Sequence, residues 1–300
     1  MITSKMTFKI HKFDPKVINE KRKNYGPATI AFIGCRGTGK TTLVADILYH
    51  IRDVPCGLVI SGTEDGNGYY SKYVPDLFIH SDFDPEVLKQ LVQRQKLLLS
   101  KLKNKDDPIE KAAIDSFLLL DDLAFDSKSW TKDKNVRGIF MNGRWYRIFC
   151  LLTTQNPMDI PPGLRMNLDY IFVLKENIVA QQKKLYDHYF GMFENFNTFR
   201  QVLTQCTENY ECLVLDKTSK SNKIEDCVFW YKATPNRNFK IGSKELWDYH
   251  KNHYNNSYML KDIIDKPKSK INVNVSKVGR VNSEAKNEKS KGKPNDKCKK

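Results

Sequence analysis

The eight residues Gly34-Cys35-Arg36-Gly37-Thr38-Gly39-Lys40-Thr41 constrain the fold of this chain more than any other stretch. They fit the pattern G-x-x-x-x-G-K-[ST] without a mismatch, and they separate an apolar run at 29–33 from a segment where Leu43, Ile47 and Ile51 recur every fourth residue beside Val44 and Leu48. A strand must therefore turn sharply into an amphipathic helix. The glycines let the backbone wrap so closely that its N–H groups point at an anion, and the new helix presents its positive end to the same charge. In that arrangement Lys40 reaches the β- and γ-phosphates of a nucleotide, Thr41 offers its hydroxyl to Mg²⁺, and Thr42 continues the cradle into the helix.

The rest of the chain fits an α/β reading. Short apolar runs at 57–60, 76–79, 117–120, 148–153 and 170–174 alternate with amphipathic stretches, the pattern of a central, mostly parallel sheet flanked by helices. Asp84 and Pro85 form a cap and first turn ahead of a long apolar stripe ending at Leu102, and a second helical stretch covers 178–190. Further strands are expected near 212–215 and 227–231. The text contains no internal repeat. Residues 1–264 read as one domain with a core at about 24–176, and 265–300 as a disordered basic tail with twelve basic and four acidic side chains and no aromatic residue. That tail either solubilises the chain or grips phosphates.

Charge and cysteine usage narrow the class. Lysine and arginine outnumber acids 50 to 35 in 300 residues, a net charge of +15 that attracts polyanions, nucleic acid foremost. With 40% hydrophobic residues, a chain disordered throughout or collagen-like is excluded. Seven cysteines without a C-x-x-C pair argue against a disulfide frame and structural zinc. No apolar run is long enough to span a bilayer, and the first twelve residues lack the marks of a secretory signal, so a soluble protein of a reducing compartment is expected.

Two acids and two strand ends carry the remaining chemistry. The run 117–120 ends in Asp121-Asp122; a strand beside the phosphate loop can deliver Asp121 to magnesium and leave Asp122 facing the γ-phosphate, where it orients and deprotonates water. Gln155 ends the run at 148–153 on the same sheet edge and can hydrogen-bond that water and a γ-phosphate oxygen. Arg144 and Arg147 precede the run and so belong to its other end. An arginine there is badly situated for its own nucleotide and well situated for a neighbour's, making Arg144 a candidate arginine finger with Arg147 its rival. The segment 128–134, with Trp130 among lysines, is a candidate DNA contact; the loop 62–70 carries two acids and is not assigned to DNA.

In order, Gly34 to Thr42, Leu120-Asp121-Asp122, Asn142-Gly143-Arg144 and Thr153-Thr154-Gln155-Asn156-Pro157 resemble the FtsK/HerA branch of P-loop ATPases. Within it, the chain is most similar to the poxvirus-type DNA-packaging ATPases of large cytoplasmic DNA viruses and their satellites, over about residues 7–176. The resemblance implies a P-loop NTPase of the ASCE/RecA-like type that uses ATP and Mg²⁺ to pump double-stranded DNA into a preformed capsid. It implies a homo-oligomeric ring, a pentamer or hexamer, partnered by capsid or portal proteins and no membrane, in the viral factory of the host cytoplasm or with the virion. By position it assigns Lys40 and Thr41 to the nucleotide loop, Asp121 to magnesium, Asp122 to the second acid, Arg144 to the arginine before the sensor strand and Gln155 to the strand-end sensor. Aspartate at 122 departs from the glutamate of the cellular pumps and fits the viral subgroup. Two other classes stay open: a helicase or transposition ATPase, and a slow nucleotide-dependent assembly switch.

Overall fold

The protein is described from a computed structural model covering residues 8–103, 107–123 and 127–255. The tail at 265–300 and the boundary at 264 lie outside the described residues. Among the described residues, nine strands form one sheet: β1 (His11–Lys12), β2 (Thr29–Ile33), β3 (Cys56–Ser61), β4 (Ile79–His80), β5 (Ser116–Asp121), β6 (Ile148–Thr154), β7 (Tyr170–Val173), β8 (Glu211–Asp216) and β9 (Val228–Lys232). Their order is β1-β9-β8-β7-β2-β6-β5-β3-β4, and every pairing is parallel except the two made by β8.

Every residue of β2, β5, β6 and β7 is buried, because helices cover both faces. Alternation then sorts the side chains. Ala31 and Ile33 join Leu118, Leu120 and Leu152 on one face, under the helices Pro85–Lys101 and Lys134–Tyr146. Ile30 and Phe32 join Leu119, Leu151 and Phe172 on the other, under α1 (Lys16–Tyr25) and α2 (Lys40–His50). Two cores therefore clamp β2 and β6 from above and below. No helix among the described residues is long and apolar enough to cross a membrane.

The caps follow the sequence. Asp84 accepts a hydrogen bond from the Glu86 amide at 2.8 Å and Pro85 opens the helix, as its spacing predicts. The helix Lys134–Tyr146 is capped by Asp133, which accepts from the amides of Asn135 and Val136 at 2.8 and 3.0 Å. It approaches β6 so closely that a Cβ on Gly143 would lie 3.0 Å from the Ile148 carbonyl oxygen.

Three expectations change. The run at 76–79 is mostly a 3-10 turn, Asp76–Phe78, entered from Pro75, which leaves a two-residue strand at the sheet edge. The strand carrying Asp121 is not beside the phosphate-loop strand: β6 lies between β2 and β5, pairing with both. Trp130 does not stack outward toward DNA, being 2% exposed in the core under the helix Lys134–Tyr146. An indole so buried has no face left for a base.

Candidate active site

The parallel strands β2, β6 and β5 all end at the same sheet edge, so the loops that follow them converge. A cleft of about 910 Å³ opens there, lined by Arg36, Gly37, Gly39, Lys40, Thr41, Thr42, Asp121, Asp122 and Gln155. The residues singled out from three separate stretches of sequence thus share one space.

The loop after β2 is built on its glycines. Gly37 and Gly39 adopt φ values of +79° and +98°, a region that penalises a side chain. Gly34 has no room for one, since a Cβ would lie 2.9 Å from both Leu174 Cβ and Thr38 Oγ1. Beneath the loop, Thr38 Oγ1 donates to the Cys35 carbonyl at 2.7 Å, and the Cys35 thiol donates to Glu176 at 3.3 Å. Burial, with the Glu176 carboxylate, pushes that thiol's pKa up, so Cys35 is a packed neutral group. α2 starts at Lys40 without a side-chain cap, which leaves its first amides free to meet an anion.

Lys40 Nζ donates to the carbonyls of Gly34 and Cys35 at 2.6 and 3.0 Å. Burial pushes its pKa down, and the nearby Asp122 and Asp121 pull it up.

Asp121 is 5% exposed and held from both sides, accepting from Thr153 Oγ1 at 2.7 Å and from Ser61 Oγ at 3.1 Å. Burial raises its pKa, the hydroxyl donors lower it, and Asp122 adds a further push upward. Thr153 also accepts from the Asp122 amide at 3.0 Å, so one hydroxyl sets both acids. Asp122 stands in the left-handed region at φ +50°, an uncommon state for a residue with a side chain, which turns its carboxylate toward Gln155. Gln155 Nε2 donates to Asp122 Oδ1 at 2.9 Å.

These groups fit a magnesium nucleotide. A buried carboxylate and the Thr41 hydroxyl form the hard-oxygen donor set that Mg²⁺ takes, and the free amides and Lys40 suit the phosphates. Sequence reasoning missed Ser61, Thr153 and Tyr210, which completes the rim of the cleft. Polar residues ending apolar strands were the available signal for the first two.

The two arginines lie far from this cleft along β6. Arg147 is 4% exposed, and its Nε and Nη2 donate to the buried Asp115 at 2.6 and 3.0 Å; with Arg22 on the same carboxylate, it is a core ion pair. That burial removes Arg147 as a finger. Arg144 is half exposed and pairs with Asp169 at 2.6 Å. It lines a second cavity with Lys21 and Lys217, at the amino-terminal end of β6.

A glycine-rich loop between β2 and α2, one strand between β2 and the acid-bearing β5, and a lysine opening the helix define the fold of the P-loop nucleoside triphosphatases. No protein-family model matches the chain. It is 41% identical to protein L437 of Acanthamoeba polyphaga mimivirus over 230 residues, 77% of this chain and 81% of that one. It is 33% identical to protein 075L of Invertebrate iridescent virus 6, over 84% of this chain and 96% of that one. The chain belongs to this family of viral proteins. Among solved structures, the pCW3 conjugation coupling protein TcpA, with ATPγS, shares the fold at a TM-score of 0.50 and 17% identity, covering 77% of this chain and 71% of its own. The DNA-packaging ATPase B204 of Sulfolobus turreted icosahedral virus aligns at a TM-score of 0.49 and 16% identity, over 70% of this chain and 99% of that one.

Proposed function

We propose that this protein hydrolyses ATP with Mg²⁺ and uses the cycle to move double-stranded DNA into a viral capsid as one subunit of a ring. The observation that carries the hydrolytic part is the convergence of Lys40, Thr41, Asp121, Asp122 and Gln155 on one cleft. The α2 amides and Lys40 bind the phosphates, and Asp121 with Thr41 holds the metal. Mg²⁺ held there would supply positive charge that offsets the charge developing on the phosphate. Asp122 and Gln155 orient a water in line with the γ-phosphorus; the water's oxygen bonds to phosphorus, its proton passes to Asp122, and ADP leaves. The fixed Asp122–Gln155 hydrogen bond aims the acid before the water arrives.

Support for the DNA part comes from the chain's membership of a viral family, the resemblance to packaging ATPases in the motif order and the net charge of +15. Neutralised phosphates release counterions, which gives affinity without sequence preference, and a packaging motor has to be indifferent to sequence. Arg144 is exposed at the end of the sheet away from its own cleft; in the ring proposed here it would serve a neighbour's nucleotide.

Duplex DNA of unrelated sequences is expected to stimulate Mg²⁺-dependent ATPase activity to the same extent. An ATPase rate unmoved by any duplex would remove the translocase reading and leave the hydrolase. Arg144→Ala is expected to lower turnover by about 100-fold. Mixed with Lys40→Ala subunits it should recover part of the rate, because each supplies what the other lacks. No recovery in assembled rings would confine Arg144 to its pair with Asp169.

A further inference from the structure

With the phosphates of a nucleotide held by the loop and α2, as proposed above, its base would lie against the remaining lining. On one side that lining is polar, with Thr63 and Asn67; on the other it is Tyr210, Lys232, Ala233 and Pro235, the side that offers an aromatic ring. Tyr210 is unusual among them. It is 73% exposed, so its ring contributes little to the core. Its backbone is also unfavourable. Asn209 and Tyr210 have φ values of +51° and +62°, and the Glu211 amide donates to the Glu208 carbonyl at 2.8 Å, which makes residues 208–211 a type I′ turn leading into β8. Asn suits the first central position, and glycine is the residue the second one favours. A tyrosine there gives up stability without gaining burial.

The strained turn holds the ring over the phosphate loop. A Cβ built on Gly39 would lie 3.5 Å from Tyr210 Cδ1, ordinary contact distance, so the ring borders the first turn of α2. We propose that Tyr210 is the platform on which the base of the bound nucleoside triphosphate stacks. Every base has a π-face, so stacking gives affinity without choosing among bases. The inference rests on the nucleotide reading of the cleft, and adds to it a contact that the phosphate loop does not supply.

The test compares MgATP with magnesium tripolyphosphate, which has the phosphates and no base, by calorimetric titration of the full chain. Tyr210→Gly is expected to weaken MgATP binding by about 10-fold, leave tripolyphosphate binding unchanged and raise Tm by relieving the turn. Tyr210→Phe is expected to keep the affinity for MgATP, since the ring remains. Unchanged MgATP affinity in Tyr210→Gly overturns the proposal. So does equal weakening of both ligands, which would mean that the substitution disturbed the phosphate loop. Wild-type protein that bound neither ligand would overturn the nucleotide reading itself, a result distinct from the other two.

Discussion

Asp122→Asn is expected to slow ATP turnover by at least about 100-fold while the nucleotide stays bound. Asparagine keeps the size of the side chain and can still accept from Gln155 Nε2, which reaches Asp122 Oδ1 at 2.9 Å in the parent. What it loses is the capacity to take a proton. The substitution therefore separates orienting the water from deprotonating it. Steady-state ATPase rates measured beside retention of labelled ATP give both quantities in one preparation. Turnover at the parental rate would show that Asp122 is not the base, and would direct attention to water oriented by Gln155 alone. Aspartate is also among the side chains that the left-handed region at φ +50° tolerates best.

Asp46→Ala is expected to destabilise the fold by about 3 kcal/mol, in the range found for breaking buried charge pairs. Asp46 lies on α2, is fully buried, and accepts from the Tyr231 hydroxyl on β9 and from Arg237 Nε, the latter at 2.7 Å. Removing it strands a hydroxyl and a mostly buried guanidinium at once. For a domain of this size that corresponds to a fall in Tm of roughly 6–12 °C, read by thermal melting. Tyr231→Phe, which deletes only the hydroxyl and leaves Arg237 on the carboxylate, should cost about 2 kcal/mol. A melting temperature for Asp46→Ala within measurement error of the parent would mean that α2 is held by its apolar face alone. The tie also matters for the cleft, because it joins the helix that carries Lys40 to the segment that carries Ala233 and Pro235.

What the sequence made legible was local. The loop at 34–41 reads directly because its glycines are required by backbone conformation, and the strands at 117–120 and 148–153 read directly because burial on both faces leaves an unbroken apolar run. Pairing is not a local property, so nothing in those runs disclosed that β6 separates β2 from β5 or that β8 runs against its neighbours. The helix Lys134–Tyr146 was obscured by Gly138 and Gly143, each worth about 1 kcal/mol against helix formation, although Val136, Ile139, Phe140 and Gly143 mark its inner face at helical spacing. The same blind spot let Trp130 pass as a surface residue. In the site, Lys40, Thr41, Asp121, Asp122 and Gln155 could be named in advance because their chemistry belongs to a motif or a strand end. Thr153 and Ser61 carry only the signal of a polar residue ending an apolar strand; their part as donors depends on which carboxylate the folded sheet sets beside them. Arg147 shows the converse: a charge that looked available from its position in the chain is consumed by Asp115 in the interior.

β6 is seven residues long, fully buried, and bonded along its length to parallel strands on both sides. It spans roughly 20 Å, with Thr153 and Gln155 at one end and, at the other, the C-terminal end of the helix that bears Arg144. A strand gripped on both edges and both faces has little freedom to flex. The cleft and Arg144 are therefore served by opposite ends of one buried strand and share no surface of a single molecule.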